Sequence, residues 1–206
     1  MRLERGAFAG CLLAPSLADI LAAHPDAVAV AIDVPIGLPE RDPRPADQAA
    51  RAFVGVRRSS VFEVPPRVVL EAPSYPEANA RSRRLAGKGL SAQSYALRDK
   101  IFEADALLAD VRIHEVHPEV SFRALQGQPL EAPKKSWNGL NARRRLLAEA
   151  GIQLPDRLDC GSVAADDLLD AAVAAWSAQR IAAGTARALP ESPSPDADPR
   201  IGRIWY

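Results

Sequence analysis

The run "AVAVAIDV" at 27–34, followed at once by "PIGLPE", constrains this chain more than any other stretch. It is apolar on both faces of an extended backbone. A run of that kind and length predicts a central strand covered on both sides. The Pro-Ile-Gly-Leu-Pro that follows ends it in a turn. The rest of the chain alternates strand and helix patterns. "GAFAGCLLA" at 6–14 reads as a strand, and Ser16 as the N-cap of a short helix bearing Leu17, Ile20 and Leu21. A polar, proline-rich loop spans 39–46. Helical patterns follow at 46–54, 75–86 and 92–109, the last with Leu97, Ile101, Ala104 and Leu108 in register. A second strand is expected at 111–117. Pro118 opens a helix that Gly127 ends, and further helices are expected at 140–150 and 164–183. "PESPSPDADP" reads as a linker-like tail, and "RIGRIWY" as a closing strand. Strand–helix alternation argues for an α/β fold with a mostly parallel sheet.

Sites in such sheets lie at the carboxyl ends of strands. Asp33 ends the first strand, and "VRIHEVHPEVSF" brings Glu115 and His117 to the end of the second. Glu115 and His117 share one face, because side chains alternate with period two. His114 falls on the other face and reads as structural. Glu119 falls in the first helical turn after Pro118, where the helix dipole also favours a carboxylate. The last helix carries Asp166, Asp167 and Asp170; 167 with 170, or 166 with 170, lie on one face. Asp166 and Asp167 suit a first turn without any function. Asp170 lies a turn deeper, where a carboxylate among apolar neighbours needs exposure, a partner or a metal. Carboxylates converging from two strand ends and a helix suggest a Mg²⁺ or Mn²⁺ site. There is no CxxC, HExxH, Walker, GxGxxG or GxSxG pattern to compete with it.

Six segments in order, "AIDVPIGLPE", "VGVRRSSVFEVPPR", "GKGLSAQSYALRDKIFEAD", "HEVHPEVSF", "KKSWNGLNARRRLL" and "ADDLLDAAVAAWSA", resemble the predicted-nuclease family of unknown function numbered four hundred and twenty-nine. The resemblance covers roughly residues 25 to 184. It implies a ribonuclease H-like mixed sheet with helices on both faces and a metal-dependent nuclease site. Asp33, Glu115 and Asp170 would hold metal, with Asp167 assisting; His117, from its place on the strand, reads as a base beside the metal or as a further ligand. Family members usually open with a strand bearing a Gly-x-Asp-Gly-like motif and then a hairpin. This chain has no acid between Glu4 and Asp19, so the N-terminal hairpin is expected to be truncated or missing. The expected organisation is one domain over 1–190, with a helical insertion at about 40–110, and a tail over 191–206.

Arg57 and Arg58 in "GVRRSSVF", Lys88, Ser91 and Gln93 in "GKGLSAQ", and Lys134 are candidate substrate contacts, because glycine-rich loops let amides and cations approach phosphate. Trp137, Tyr95 and Phe62 offer base-stacking rings, although packing explains each more simply. Arg143, Arg144 and Arg145 are consecutive on a helix, and read as a solvated face. Lys plus Arg equals Asp plus Glu at 26 each, so a polyanion would be met by a local patch, not by the overall field. With only two cysteines there is no disulfide framework, and a cytoplasmic setting is the simplest expectation. No apolar run approaches the about 20 residues of a membrane helix. Three readings stay open: a metal-dependent nuclease on DNA or RNA, a non-catalytic module binding nucleic acid or protein, and hydrolysis of a small phosphorylated substrate. A homodimer covering an exposed sheet edge is a further expectation.

Overall fold

The structure is a computed structural model that describes residues 1–41, 43–192 and 200–206. It opens with an antiparallel hairpin, β1 (Arg2–Glu4) and β2 (Ala7–Gly10). A hairpin is thus present where a truncated or missing one was expected. It carries no aspartate, and its acid, Glu4, pairs with Arg2 at 3.3 Å. Its turn needs Gly6, at φ +84°, and a Cβ there would meet Gln179 of the last helix at 3.0 Å.

The helix α1 (Leu17–Ala23) follows, with Ser16 Oγ accepting from the Asp19 amide at 3.1 Å. The apolar run becomes β3 (Val30–Ile32). Helical segments then run to residue 106: α2 (Pro45–Val54), a 3-10 turn (Gly55–Ser60), α3 (Arg67–Leu70), α4 (Tyr75–Ala86), α5 (Ala92–Ala96) and α6 (Arg98–Ala106). The single helix expected over 92–109 is broken at Leu97. Beside the break, the Tyr95 hydroxyl and Arg98 both donate to the Ala72 carbonyl, at 2.8 and 3.0 Å. The strand β4 (Ile113–Glu115) pairs in parallel with β3. Pro118 opens α7 (Pro118–Gln126), and Gly127 ends it at φ +79°, a conformation that favours glycine. Then come α8 (Trp137–Glu149), α9 (Ala165–Ala182), and β5 (Ala188–Leu189) paired with β6 (Ile204–Trp205). The closing strand is therefore real. Part of the linker-like tail, 193–199, lies outside the described residues.

The class is mixed α/β. The sheet is smaller than expected: among the described residues there are three short two-stranded pairs, with a parallel bridge from Val116 to Trp205 that sets β6 beside the end of β4. Proline limits the ladders. Pro35 and Pro118 stand three residues past β3 and β4, and proline has no N–H to extend the pairing. Packing is mostly helical. Phe122, Leu147, Leu169, Val173 and Trp176 join α7, α8 and α9. Ala46, Val54, Val120 and Ile204 join α2, α7 and β6. Ile36 and Ile113 pack with Leu21 behind β3 and β4.

Two expectations about single residues change. Cys11 and Cys160 form a disulfide with Cα atoms 6.2 Å apart, joining the segment after β2 to the loop before α9. Their separation of 149 residues leaves no local signal of this pairing. Arg143, read as solvated, is the largest fully buried side chain; its guanidinium lies 5.3 Å from the Phe122 ring. Among the described residues no helix is long and apolar enough to cross a membrane.

Candidate functional site

The parallel register sets Ile32 opposite Glu115, and the Val116 amide donates to the Ile32 carbonyl at 2.9 Å. The two chains therefore leave the sheet side by side. Asp33, Glu115 and His117 line one small recess of about 30 Å³, walled by Val61, Phe62 and Ile204. The convergence expected at the strand ends is found, but its members are differently employed.

Glu115 is fully engaged. Arg44 donates to Oε1 at 2.6 Å and to Oε2 at 2.9 Å, and the Ile36 amide donates to Oε2 at 2.6 Å. Arg44 also donates to Asp47 Oδ1 at 2.6 Å, while Asp47 Oδ2 accepts from the Val64 amide at 2.8 Å. Burial pushes the Glu115 carboxyl above its ordinary range, against the charge and hydrogen bonds of Arg44. Burial opposes the charge on Arg44 too, but Glu115 and Asp47 outweigh it and hold the guanidinium above its usual value. Arginine does not release its proton, so the guanidinium stays charged beside Glu115. Glu115 thus fixes the geometry of the recess, with both of its oxygens accepting hydrogen bonds.

Asp33 is the opposite case. Its side chain keeps exposed surface, yet protein atoms crowd the carboxylate. Crowding pushes its pKa up; the charge of His117 lowers it, that of Asp170 raises it, and that of Lys134 lowers it. These influences place Asp33 within electrostatic reach of all three. His117 caps α7: its Nδ1 accepts from the Glu119 amide at 3.2 Å, and Nε2 lies 3.2 Å from the Ser60 carbonyl. In the neutral ring, accepting at Nδ1 leaves the proton on Nε2, which then donates to Ser60.

The helix α9 contributes Asp166 and Asp170, one turn apart, both bound to Lys134 Nζ, at 3.5 and 2.7 Å. Asp167, the expected assistant, is exposed. The buried stripe of α9 runs through positions 166, 169, 173 and 176. Burial pushes Asp170 upward, and Lys134 with Arg143 pulls it back. Burial alone would lower the Lys134 ammonium, but Asp170 and Asp166 hold it above its ordinary value, so it remains charged. Glu119 keeps its first-turn position, and its Oε2 accepts from Arg143 at 2.8 Å. Its Oε1 is buried with no hydrogen-bond partner.

The substrate candidates also divide. Arg57 is tied to the backbone carbonyls of Leu130, at 2.9 Å, and Glu131. Ser91 is the N-cap of α5, accepting from the Ser94 amide at 3.0 Å. Lys88 pairs with Glu63, whose neighbour Phe62 walls the recess. Arg58 and Gln93 are exposed. Tyr95 is bound to Ala72, and Trp176 is core.

Among the described residues no three His, Cys, Asp or Glu side chains are gathered closely enough to hold a metal ion. Mg²⁺ asks less, since one or two carboxylates with water and substrate phosphate suffice. Asp33 has a carboxylate with no hydrogen bond, and Asp166 and Asp170 share Lys134. Carboxylate oxygens are the hard donor type that Mg²⁺ takes.

The raised pKa of Asp33 has a measurable consequence. Its folded value lies above the unfolded one, so over that window the folded chain binds more protons, and stability falls as pH rises. Asp33→Asn removes this penalty. Without divalent cations the variant is expected to melt above the parent at neutral pH, the gap closing as pH falls toward the ordinary carboxylate range near 4. Melting curves at several pH values check this; a gap independent of pH would uncouple Asp33 from the folded-state charge balance.

The sequence model of one family, described as a protein of unknown function (DUF429), matches residues 1–194. No curated protein matches, and no solved structure matches.

Proposed function

The chain belongs to the DUF429 family, and from that premise we propose that it is a divalent-metal-dependent phosphodiesterase acting on nucleic acid, on a ribonuclease H-like frame. The observation that carries this reading is Asp33: a carboxylate without a hydrogen bond, at the end of a parallel strand pair, within reach of Asp170. Asp33 and Asp170 would hold Mg²⁺ or Mn²⁺. A cation there supplies charge neutralisation and an activated water for phosphodiester hydrolysis. Lys134 keeps Asp166 and Asp170 in place and offsets their charge. Glu115 and Arg44 hold the strand ends that aim Asp33. His117 is anchored by Ser60 and the α7 amide, with its ring on the recess. Arg58 and Lys88 would meet the phosphate backbone.

The second reading is a non-catalytic nucleic-acid- or protein-binding module. It is favoured by the Lys134 ammonium, which already sits between Asp166 and Asp170. The deciding experiment is Mn²⁺- and Mg²⁺-dependent cleavage of single-stranded, duplex and RNA–DNA hybrid substrates, run beside Asp33→Asn and Asp170→Asn. Thermal shift with each cation is measured in parallel. Cation-dependent cleavage that both variants lose is the expected result. Equal activity in the parent and Asp33→Asn removes Asp33 from the mechanism. No cleavage and no thermal shift leaves the second reading standing.

A further inference from the structure

Trp137 differs from the other tryptophans. Trp176 is buried under Arg180, and Trp205 lies against Arg203, each guanidinium 4.8 Å from its ring. Trp137 is 79% exposed, and among the described residues its ring has no hydrogen-bond, ring or cation partner. It heads α8 and, with Asn138, Asn141, Ala142 and Arg145, forms an open face of that helix. Positions 137, 141 and 145 follow at intervals of four, so ring, amide and guanidinium share one helix face. The Arg145 side chain is exposed and only loosely paired, 3.6 Å from Glu149. Lys135 is exposed beside it, while Arg144 is paired with Asp156.

We propose that this face binds unpaired nucleotides of a single-stranded nucleic acid, with a base stacked on Trp137, the Asn138 and Asn141 amides at its edge and Arg145 on the phosphate. The inference rests on the nuclease reading and names its substrate class. A flat aromatic with cations along a backbone track is the chemistry of sequence-tolerant single-strand binding. In a duplex the base faces are stacked and closed to the ring. A protein partner fits worse, because the core of a docking face is depleted of charged residues and this face has one large ring among amides and charges. The face also lies close in the chain to the acidic site: Trp137 follows Lys134 by three residues, at most about 10 Å of backbone, and Lys134 holds Asp170 at 2.7 Å.

The test is binding of fluorescein-labelled oligothymidylates of graded length, and of a duplex of the same size, to the parent, Trp137→Ala, Trp137→Phe and Arg145→Ala. It is read by anisotropy and by quenching of tryptophan fluorescence in Ca²⁺ without Mg²⁺. Hydrolysis of bis(p-nitrophenyl) phosphate with Mn²⁺ is followed separately, as a substrate too small to reach Trp137. The parent is expected to favour single strands over the duplex, with quenching. Trp137→Ala should weaken binding about tenfold, Trp137→Phe should retain most of it, and all should melt with the parent. Equal binding by parent and Trp137→Ala, or equal binding of duplex and single strand, overturns the inference. Self-association lost in Trp137→Ala, with no oligonucleotide binding, overturns it in favour of a second copy of the chain. Hydrolysis of the small substrate without oligonucleotide binding sinks only this inference. Binding without any hydrolysis sinks only the nuclease reading.

Discussion

Arg44→Ala is expected to destabilise the protein by about 3–5 kcal/mol, the cost of stranding a buried charge. Arg44, Asp47 and Glu115 are 4%, 1% and 3% exposed, so water cannot replace the lost guanidinium. The bonds of this group tie four segments together: β4 through Glu115, the turn after β3 through Ile36, α2 through Asp47, and the stretch before α3 through Val64. Alanine leaves two carboxylates facing each other without a cation. For a chain of this size each kcal/mol moves the midpoint by about 2–4 °C, so a loss on the order of 10 °C is expected. Chemical denaturation and calorimetry measure it. Glu115→Gln, which keeps shape and removes one charge, should cost less. If Arg44→Ala melts within about 2 °C of the parent, the ion network is not what holds the strand ends.

Gly139→Ala should have the second largest effect, with a sign opposite to helix propensity. Alanine in a helix is ordinarily better than glycine by about 0.5–1 kcal/mol. Here a Cβ would meet the Pro133 carbonyl oxygen at 1.9 Å and its carbon at 2.7 Å, and backbone atoms cannot rotate aside. The segment before α8 must move, and overpacking of this kind costs about 1–3 kcal/mol. Ser136 caps α8 by accepting from the Gly139 amide at 3.1 Å, so the cap is disturbed as well. Lys134 lies on the displaced segment, which couples the change to the acidic site. Lys134→Met should therefore shift stability less in the Gly139→Ala background than in the parent, as a double-mutant cycle would show. A more stable Gly139→Ala protein would mean the segment yields freely and the coupling is absent.

Much of this was legible in the sequence, element by element. The helix read over 75–86 is Tyr75–Ala86, between Ser74 and Gly87, and the helix from Pro118 ends at Gly127 as read. The paired carboxyl ends of β3 and β4 were also foreseen. The misreadings share one origin. Arg143 has two arginine neighbours that look alike in the sequence, yet it stands four residues from both Gly139 and Leu147, on the buried stripe of α8. The same periodicity would have preferred Asp166 to Asp167. Arg44 has no such signal: it stands before a proline, and its partner Glu115 is 71 residues away.

By itself the sequence determined what local physics decides: strand and helix periods, serine caps, proline starts, glycine stops, and hence an α/β chain with acids at strand ends. Only the tertiary structure decided which charges meet. It gave Glu115 to Arg44, Lys134 to Asp166 and Asp170, Arg143 to Glu119, and left Asp33 without a hydrogen bond. An ion pair or a disulfide depends on Coulomb energy and burial at a point in space, and neither has a period along the chain.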